Sequence, residues 1–505
     1  MSHLYHRLLV LCTVMCLATG AYAQLPDCDA QRYSTAIFSS VTVTTGVKYG
    51  QNTTVGGVTK NLLTDIYQPV GDASVRRPLV ILAFGGSFLG GQRTDMDSYA
   101  RKFAQKGYVV ATIDYRLYDG FLLNYLNELV FMDEVVKAVS DMKAAVRFFR
   151  KDASTINTYG IEPNYIIIGG YSAGAITALH AGYVDAAEIP ANLAPVFAAN
   201  GGINGNTDDP ANSATAYSSE VQGVWSLSGA INSKNYIDAC DPPLFMVHGD
   251  QDAVVPYGSG FLTSPSQIPF VINITAVDGS SVLATQATAV GVPNQLYTVA
   301  GGGHNDIYAN ATVLSQLDQQ GSLFLKQNVA CATTNCVNIS PSSSQTVCEG
   351  STVALSASVT CGTSPVYSWS GPNNFTSTVA NPTLANATTA ASGSYTVIVS
   401  DAGKCSGTAV VAVTVNPKPL LTLLPGSVSL TGCNCNTSTV VAKTTPAGTA
   451  INWSRTPGGN PLPNAGTGLD QVTITQSLPS GSFTYQFIAT LNGCQTTGSI
   501  PVLVP

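Results

Sequence analysis

The sequence predicts an α/β domain, with a mostly parallel sheet and helices on both faces, followed by two all-β sandwiches. Charge is distributed unevenly, because residues 331–505 contain only 7 of the 51 charged side chains. Before that point, short apolar runs alternate with helical stretches, which is typical of a parallel sheet with crossover helices. After it, runs rich in Val, Thr and Ser alternate with Gly, Pro and Asn, which is typical of β-sandwiches.

The whole chain of 505 residues is poor in charge and slightly acidic. Charged residues make up 10% of it, against about 25% in an ordinary soluble domain, and the formal net charge is −7. A chain of this kind, without any run of Lys and Arg, lacks the basic face that phosphate binding requires, so we expect no nucleic-acid partner. The apolar content of 45% is sufficient for packed cores and excludes a disordered or collagen-like chain.

Residues 1–23 have the pattern of a signal peptide. A weakly basic start precedes an apolar run at 8–17, and Ala21-Tyr22-Ala23 supplies the small residues for cleavage before Gln24. The alternative is an N-terminal membrane anchor, but the run is too short to cross about 30 Å of hydrocarbon. No later segment reaches 18 apolar residues. We therefore expect an exported protein, secreted or at the cell surface, with no membrane span.

Ten cysteines remain after the predicted signal peptide. An even number of cysteines in an exported chain predicts disulfides. The chain has no Cys-x-x-Cys pair and few histidines, so we expect no metal site. One bridge is expected among Cys28, Cys240 and Cys331, where it would join the two ends of the first domain. The sequence leaves the rest of the connectivity open.

The first domain is predicted at residues 24–330. Its buried strands are predicted from short apolar runs at 79–83, 109–113, 165–168, 224–227, 244–247 and 296–299. Between the second and the third run, apolar residues recur at steps of three and four, which predicts a helix. These residues are Val136, Val139, Met142, Val146 and Phe149.

The last third of the chain contains a weak internal repeat. Trp369-Ser370 and Trp453-Ser454 lie 84 residues apart. Two copies of this length fit two immunoglobulin-like sandwiches, which we predict at 337–416 and 420–505. The segment 367–372 and the strand that follows it resemble the Ig-like or PKD-like modules that are appended to secreted Bacteroidetes proteins. This resemblance implies contacts with polysaccharide or with a cell surface.

Gly170-Tyr171-Ser172-Ala173-Gly174 matches the G-x-S-x-G pattern of a nucleophile turn. A predicted strand precedes it and an apolar helical stretch follows it. In that setting a sharp turn raises the serine hydroxyl above the sheet, and the flanking glycines let neighbouring chain segments pass closely. The alternative is an ordinary strand-to-helix turn that happens to be rich in Gly and Ser. We predict that Ser172 is a nucleophile.

A serine nucleophile needs a base, and three histidines remain after the predicted signal peptide. His180 lies eight residues into the helix that follows the serine and is expected to point away from it. His248 ends a strand and is expected to form a turn or to contact a residue of the site. His304 lies in a glycine-rich loop after the last strand and fits the chain order Ser…Asp…His of α/β-hydrolases. We predict that His304 is the base.

Four further motifs accompany the serine and histidine motifs: Arg77-Pro78-Leu79, Gly85-Gly86-Ser87-Phe88, Gly107-Tyr108-Val109 and Asp114-Tyr115-Arg116-Leu117. Together they resemble secreted carboxylesterases of the α/β-hydrolase family over about residues 40–326. The resemblance implies the α/β-hydrolase fold, hydrolysis of carboxylic esters, and no metal or organic cofactor.

Two carboxylates follow the penultimate core strand, and one of them is expected to orient the imidazole. Asp252 lies ahead of Val255-Pro256 and occupies the position of the acid in the family that the chain resembles. Asp250 is the alternative and is expected to shape the turn instead. We predict that Asp252 is the acid.

The oxyanion of the tetrahedral intermediate needs backbone N–H donors. Ala173, directly after the nucleophile, is predicted as one donor, and Gly86 and Ser87 in the loop after the run 79–83 are predicted as others. The loop departs from the usual His-Gly-Gly-Gly sequence of the family, because Phe84 replaces its histidine and Ser87 its third glycine. Amide donors do not depend on side chains, so these departures bear on the substrate more than on the activity.

The sequence therefore predicts an exported serine esterase that works through an acyl-enzyme. The resemblance implies acetyl or feruloyl esters of plant polysaccharides, or esters of polymers and lipids. The segments 119–127 and 211–219 are expected to border the substrate pocket. Tyr171 is expected either to contact the acyl group or to pack inside the turn.

Two other functions fit parts of the sequence. A serine peptidase of the prolyl-oligopeptidase type uses the same triad, but its usual propeller is missing here and its nucleophile turn differs. A non-catalytic adhesin would carry a dead hydrolase domain beside the sandwiches. The presence of serine, histidine and aspartate in the right order argues against it, because a drifted site would have lost one of them.

Overall fold

The computed structural model describes residues 25, 28, 31–264, 271–332, 339–359, 365–400, 407–430, 437–459 and 463–505. The predicted signal peptide, 1–23, lies outside these residues. The chain divides into two compact units, and among the described residues the main boundary falls between 332 and 339. Within the described residues, no helix is both long enough and apolar enough to cross a membrane.

The first unit is built on an eight-stranded sheet. The strands described in this unit are β1 (Val41–Thr53), β2 (Thr59–Pro69), β3 (Arg77–Ala83), β4 (Val109–Ile113), β5 (Ile161–Tyr171), β6 (Gly223–Leu227), β7 (Ala230–Ile231), β8 (Leu244–Gly249), β9 (Ser259–Thr263), β10 (Asn273–Gly279) and β11 (Asn294–Val299). The large sheet has the order β1-β2-β4-β3-β5-β6-β8-β11. The β1–β2 and β2–β4 pairs are antiparallel and all later pairs are parallel. This order is that of the α/β-hydrolase fold, and the predicted fold class is confirmed.

Helices cover both faces of this sheet. The α-helices described in the unit are α1 (Asp97–Ala104), α2 (Glu128–Thr155), α3 (Ala173–Tyr183), α4 (Ala194–Ala199), α5 (Ser280–Val290), α6 (Asp306–Ala309) and α7 (Ala311–Leu325). In β6, Val224 lies against Gly182 of α3. The next residue, Trp225, packs its ring against Tyr99 and Phe103 of α1, with centroids 5.6 and 5.7 Å apart. Because consecutive side chains of a strand point to opposite faces, α3 and α1 lie on opposite sides of the sheet.

The predicted strands differ from the observed ones mainly at their ends. The run 109–113 is β4 without change, because all five residues are buried and apolar or small. The run 165–168 is only the second half of β5, whose first half contains Glu162 and Pro163. The register between β3 and β5 shifts after Arg77, and this irregularity accommodates the polar segment. The sequence did not predict β1 and β2, whose partly exposed residues and register shifts give no clear alternation.

The predicted helix is α2, which is longer than its apolar pattern indicated. It begins after Asn127, whose side chain accepts hydrogen bonds from the N–H groups of Leu129 and Val130. Further along, Asp141 forms a fully buried ion pair with Arg116, with Nη2 and Oδ1 2.8 Å apart. This ion pair therefore attaches the segment after β4 to α2 within the core.

Glu134 in α2 carries a buried carboxyl group that makes the stability depend on pH. Its side chain is fully buried, and within the described part of the chain neither carboxyl oxygen has a hydrogen-bond partner. Desolvation by burial raises its pKa from 4.5 to about 8. The folded protein therefore keeps a proton that the unfolded chain releases near pH 4.5, so the stability falls as the pH rises from about 4.5 to about 8.

The substitution Glu134→Gln is expected to remove this loss of stability. The unfolding free energy of the variant, relative to the unchanged protein, should increase by up to about 4 kcal/mol between pH 5 and pH 8.5. Urea unfolding at pH 5, 6.5 and 8.5 measures the difference. A difference that stays constant over this range would contradict the buried, protonated state of Glu134.

The second unit is all-β, as predicted. Its described strands are β12 (Ile339–Pro341), β13 (Gln345–Cys348), β14 (Val353–Ala354), β15 (Ala357–Val359), β16 (Val366–Gly371), β17 (Phe375–Ser377), β18 (Thr383–Leu384), β19 (Gly393–Ser400), β20 (Gly407–Asn416), β21 (Leu420–Leu424), β22 (Val428–Ser429), β23 (Thr437–Thr445), β24 (Ala450–Thr456), β25 (Ala465–Leu469), β26 (Gln471–Ser477), β27 (Gly481–Leu491) and β28 (Cys494–Val504). Two five-stranded sheets have the orders β13-β20-β19-β16-β17 and β22-β28-β27-β24-β25. The first strand in each order pairs in parallel with the second. Trp369 in β16 and Trp453 in β24, the residues of the predicted repeat, are buried at corresponding places.

Disulfides join distant parts of each unit. Cys28 is bonded to Cys331, which ties the beginning of the first unit to its end, as predicted. Cys348 is bonded to Cys494 and thereby links the two halves of the second unit. Such bridges restrict the unfolded chain and are typical of oxidising compartments.

Candidate active site

Ser172 lies at a sharp turn between β5 and α3. Its φ is +51°, a left-handed value that is uncommon for a residue with a side chain. The turn is possible only with glycine on both sides. A Cβ atom at Gly170 would lie 2.3 Å from the carbonyl oxygen of Ala83, and one at Gly174 would lie 2.1 Å from it. The predicted nucleophile turn therefore has the close approach and the backbone conformation that the sequence pattern indicates.

The three predicted residues Ser172, His304 and Asp252 lie together in one chain of hydrogen bonds. Nε2 of His304 is 3.0 Å from Oγ of Ser172, and Nδ1 of His304 is 2.7 Å from Oδ2 of Asp252. The sequence separations are 132 and 52 residues, so only the fold brings these side chains together. The histidine thus lies between a hydroxyl group and a carboxylate, within the distances that proton transfer requires.

The carboxylate of Asp252 is held from four directions. Its Oδ1 accepts hydrogen bonds from the N–H groups of Val254 and Val255, at 2.8 and 2.9 Å. Its Oδ2 faces His304 and also lies 3.2 Å from Nε2 of His248. Desolvation by burial acts to raise the pKa of Asp252, but the hydrogen bonds from His248, His304 and Val255 together hold it well below its usual value. Asp252 is therefore a carboxylate at neutral pH.

The alternative acid, Asp250, lies in the turn as predicted. Its Oδ1 accepts a hydrogen bond from the N–H group of Gly301 at 2.7 Å, so it connects the two loops that carry Asp252 and His304. Asp252, and not Asp250, reaches the imidazole.

The other two histidines, His180 and His248, are buried, and their hydrogen-bond partners among the described residues do not include the Ser172 hydroxyl. Nδ1 of His180 lies 2.8 Å from the carbonyl oxygen of Ile176 and its Nε2 lies 2.8 Å from Oδ1 of Asn232. Desolvation by burial lowers the pKa of His180, as expected for a packed residue. His248 contacts Asp252, in agreement with one of its two predicted roles.

The loop after β3 makes a tight turn at Gly86, Ser87, Phe88 and Leu89. The N–H group of Leu89 donates to the carbonyl oxygen of Gly86 at 3.0 Å. Both central residues are left-handed, with φ of +54° at Ser87 and +56° at Phe88, which is the pattern of a type I′ turn. Left-handed backbone costs roughly 1–2 kcal/mol for each residue that carries a side chain. No side chain fits at Gly86, because a Cβ atom there would lie 2.2 Å from the carbonyl oxygen of Gly90.

Aromatic residues brace this loop at Phe84 and Tyr171. The ring of Phe84 stacks on the ring of Tyr115, with centroids 4.4 Å apart, and the Tyr115 hydroxyl donates to the carbonyl oxygen of Phe84 at 2.8 Å. The ring of Tyr171 packs on Tyr308 at 4.8 Å and leaves no room for a side chain at Gly85. Tyr171 therefore packs inside the turn, the second of its two predicted roles.

A cleft lies over the serine. Its described lining residues are uncharged, and most of them are apolar or aromatic. They are Ser87, Phe88, Tyr125, Phe131, Ser172, Ala173, Ile176, Val254, Val255, Leu262, Thr263 and Ile274. Ser87 and Ala173, two of the predicted oxyanion donors, thus border the same space as Ser172. Gly86 is not among the lining residues and begins the turn that carries Ser87.

The two segments that were expected to border the pocket lie in different places. The segment 119–127 contributes Tyr125 to the cleft. The expectation for 211–219 is wrong for the cleft described here, because this segment lies against the end of α2. Nζ of Lys151 donates to the carbonyl oxygen of Ser213 at 2.9 Å, and Arg150 donates to that of Ser218.

Sequence reasoning missed the other wall of the cleft. Leu262 and Thr263 of β9, and Ile274 of β10, belong to an antiparallel pair inserted between the acid and the last parallel strand. Its signal in the sequence is the apolar pair Phe261-Leu262, followed by Val271 and Ile272. That signal indicates a strand pair, but it does not indicate what the strands face.

Among the described residues, no group of three or more His, Cys, Asp or Glu side chains is arranged to hold a metal ion.

Comparison with known proteins gives three kinds of similarity. Residues 64–232 match the family model described as BD-FAE, and this interval contains Ser87 and Ser172 but ends before Asp252 and His304. Gut esterase 1 of Caenorhabditis elegans is 33% identical over 100 residues, which are 19% of this chain and 17% of that protein. The chain therefore matches less than a fifth of the length of this curated relative.

Similar solved structures include esterase 2 of the planctomycete Thermogutta terrifontis. Its propionate-bound form is 19% identical, with a TM-score of 0.40, over 59% of this chain and 97% of that one. The form phosphoramylated by tabun is 18% identical, with a TM-score of 0.40, over 59% of this chain and 98% of that one.

Proposed function

We propose that this protein is an exported serine carboxylesterase in which Ser172, His304 and Asp252 form a catalytic triad. The observation that carries the proposal is the unbroken hydrogen-bond chain from Asp252 through His304 to Ser172 beside an uncharged cleft. The match of residues 64–232 to the BD-FAE family and the local similarity to a named esterase support the same reaction class.

The proposed reaction begins with attack of Oγ of Ser172 on the ester carbonyl carbon. Nε2 of His304 takes the hydroxyl proton, and Asp252 stabilises the resulting imidazolium through Nδ1–H. When the tetrahedral intermediate collapses, the bond to the alcohol oxygen breaks and His304 gives its proton to the alcohol. Water then attacks the acyl-enzyme, donates a proton to Nε2 of His304, and releases the acid as Ser172 recovers its proton.

The oxyanion would be held by backbone N–H groups at the mouth of the cleft. Ala173 lies at the first turn of α3 and Ser87 lies in the strained turn after β3, both at the wall of the cleft. Gly86 remains the third predicted donor. In other serine hydrolases each such donor lowers the barrier by about 2.7–4 kcal/mol.

The lining of the cleft favours an uncharged, apolar ester. None of its twelve described residues carries a charge, and nine of them are apolar or aromatic. Such a surface fits the acyl and alcohol parts of a large ester better than a charged metabolite. We propose acetyl or feruloyl esters of plant polysaccharides, or esters of polymers and lipids, as the substrate class.

Export and the second unit complete the proposal. The disulfides of both units suit an oxidising compartment. The second unit is nearly free of charge and built from two similar sets of strands, as in the proposed pair of Ig-like modules of the Bacteroidetes type. We propose that these modules contact polysaccharide or a cell surface, and that the protein is secreted or held at that surface.

Comparison of esters with amides tests the proposal against the peptidase alternative. We expect the mature protein to hydrolyse p-nitrophenyl acetate and butyrate faster than the matching p-nitroanilides. Methyl ferulate, acetylated xylan, a triglyceride and an aliphatic polyester would then define the substrate class. Faster hydrolysis of the amides would favour a peptidase, and no turnover of any substrate would favour the non-catalytic adhesin.

A further inference from the structure

The turn that carries Ser87 has an unfavourable sequence for its backbone. A type I′ turn places both central residues in the left-handed region, where glycine, asparagine and aspartate are common. Here the central residues are Ser87 and Phe88, with φ of +54° and +56°. Such strain persists only where the surrounding structure holds it.

The turn has three peptide planes, and separate hydrogen bonds hold them. The N–H groups of Leu89 and Gly90 donate to the carbonyl oxygen of Gly86, at 3.0 and 3.2 Å, and fix the first plane. In a trans peptide the N–H group points opposite to the carbonyl group, so this plane directs the Ser87 N–H away from the interior of the turn. The second plane is fixed by the Tyr125 hydroxyl, which donates to the carbonyl oxygen of Ser87. The third plane is fixed by the N–H group of Tyr118, which donates to the carbonyl oxygen of Phe88 at 2.8 Å.

Tyr125 is itself firmly placed. Its side chain is 1% exposed, and its ring makes edge contacts with the rings of Tyr118 and Phe131, at 5.3 and 5.4 Å. Burial raises the pKa of its hydroxyl above the ordinary value, so the group keeps its proton and remains a donor throughout the neutral range. The same ring lines the cleft, so the wall that a substrate touches is also the support of the turn.

We propose that Tyr125 is a positioning residue for the oxyanion-binding turn: its hydroxyl holds Ser87 in the left-handed conformation that the third glycine of the usual loop would adopt unaided. This inference rests on the proposed esterase function. The tyrosine acts through the Ser87 peptide and does not itself take part in bond making or breaking.

A double-mutant cycle with Tyr125→Phe and Ser87→Gly tests the inference. Phenylalanine keeps the ring at the cleft wall and removes only the hydroxyl, so kcat for p-nitrophenyl acetate should fall by about 10-fold while KM changes less than about twofold. This is a fraction of the 10²–10³ that loss of a whole oxyanion donor costs. In the Ser87→Gly background, where left-handed backbone is unstrained, the same substitution should lower kcat by less than about threefold.

The matched control is Tyr183→Phe. The hydroxyl of Tyr183 also donates to a backbone carbonyl oxygen, that of Pro242, at 2.9 Å, and it lies at the far end of α3. This variant should keep kcat within about twofold of the unchanged protein. An equal loss of kcat for Tyr125→Phe in both backgrounds, or an effect confined to KM, would overturn the inference.

Hydrogen exchange makes the test independent of turnover. The amides of Leu89 and Gly90 should exchange faster in Tyr125→Phe than in the unchanged protein, and Ser87→Gly should restore their protection. Unchanged exchange in Tyr125→Phe would overturn the inference even if the ester assays succeed. Absence of ester hydrolysis that depends on Ser172 would instead contradict the proposed function, while the exchange result would still decide the role of Tyr125.

Discussion

Replacement of Ser172 by alanine is expected to lower kcat for p-nitrophenyl acetate by about 10⁶-fold, to the residual rate that binding and oxyanion donors alone provide. The reason is the loss of the atom that attacks the carbonyl carbon, since His304 has no other hydroxyl within hydrogen-bond distance among the described residues. Alanine keeps the left-handed backbone of the turn as strained as serine does, so the fold should be retained. Steady-state kinetics together with thermal unfolding measures both effects.

Ser322→Ala provides a matched control for this substitution. Ser322 is a fully buried serine in α7, and its hydroxyl has no hydrogen-bond partner among the described residues. Its loss should leave kcat within about twofold. An equal loss of activity in both variants would mean that Ser172 matters for folding and not for chemistry, and retained activity in Ser172→Ala would remove the serine from the mechanism.

Replacement of Asp252 by asparagine is expected to lower kcat by about 10⁴-fold with a small change in KM. An amide keeps the shape of the side chain but no longer stabilises the imidazolium, and it favours the wrong tautomer of His304. We expect this loss for Asp252 and not for the neighbouring carboxylate Asp250, because Oδ2 of Asp252 is 2.7 Å from Nδ1 of His304. Measurement of kcat and KM between pH 6 and pH 9 tests the prediction.

Asp250→Asn is the matched control, because it removes the other carboxylate of the same loop. Asp250 accepts a hydrogen bond from the N–H group of Gly301 and holds the two loops together. We expect its substitution to lower kcat by less than about 10-fold. A larger loss in Asp250→Asn than in Asp252→Asn would exchange the roles of the two carboxylates.

The sequence predicts best what strong local patterns encode. The strands β3, β4, β6 and β8 are buried along their whole length and mostly apolar because both faces of the sheet are covered, and such runs leave little choice of structure. The nucleophile turn also has a local pattern, G-x-S-x-G, although its two glycines are required by contacts with the carbonyl oxygen of Ala83 on the neighbouring strand. His304 is predicted from its glycine-rich loop together with the order of the residues in the chain, and Asp252 from its place ahead of Val255-Pro256 in the family that the chain resembles.

The parts that the sequence did not predict depend on distant contacts between mixed segments. The strand pair β9–β10 forms a wall of the cleft, but its alternating residues do not reveal which surface they face. The segment 211–219 has the composition of a pocket loop, yet hydrogen bonds from Arg150 and Lys151 hold it against α2. The hydrogen bond from Tyr125 to Ser87 joins residues 38 positions apart, and neither residue type predicts it.

The central claim is that Ser172 is an activated nucleophile, and covalent labelling tests it most directly. The mature protein is treated with a fluorophosphonate, digested, and analysed by mass spectrometry to locate the label. We predict one label for each chain, on the peptide that contains Ser172, with none in Ser172→Ala and much slower labelling in His304→Ala. A label on another residue, or no label on a folded protein, would contradict the proposed triad.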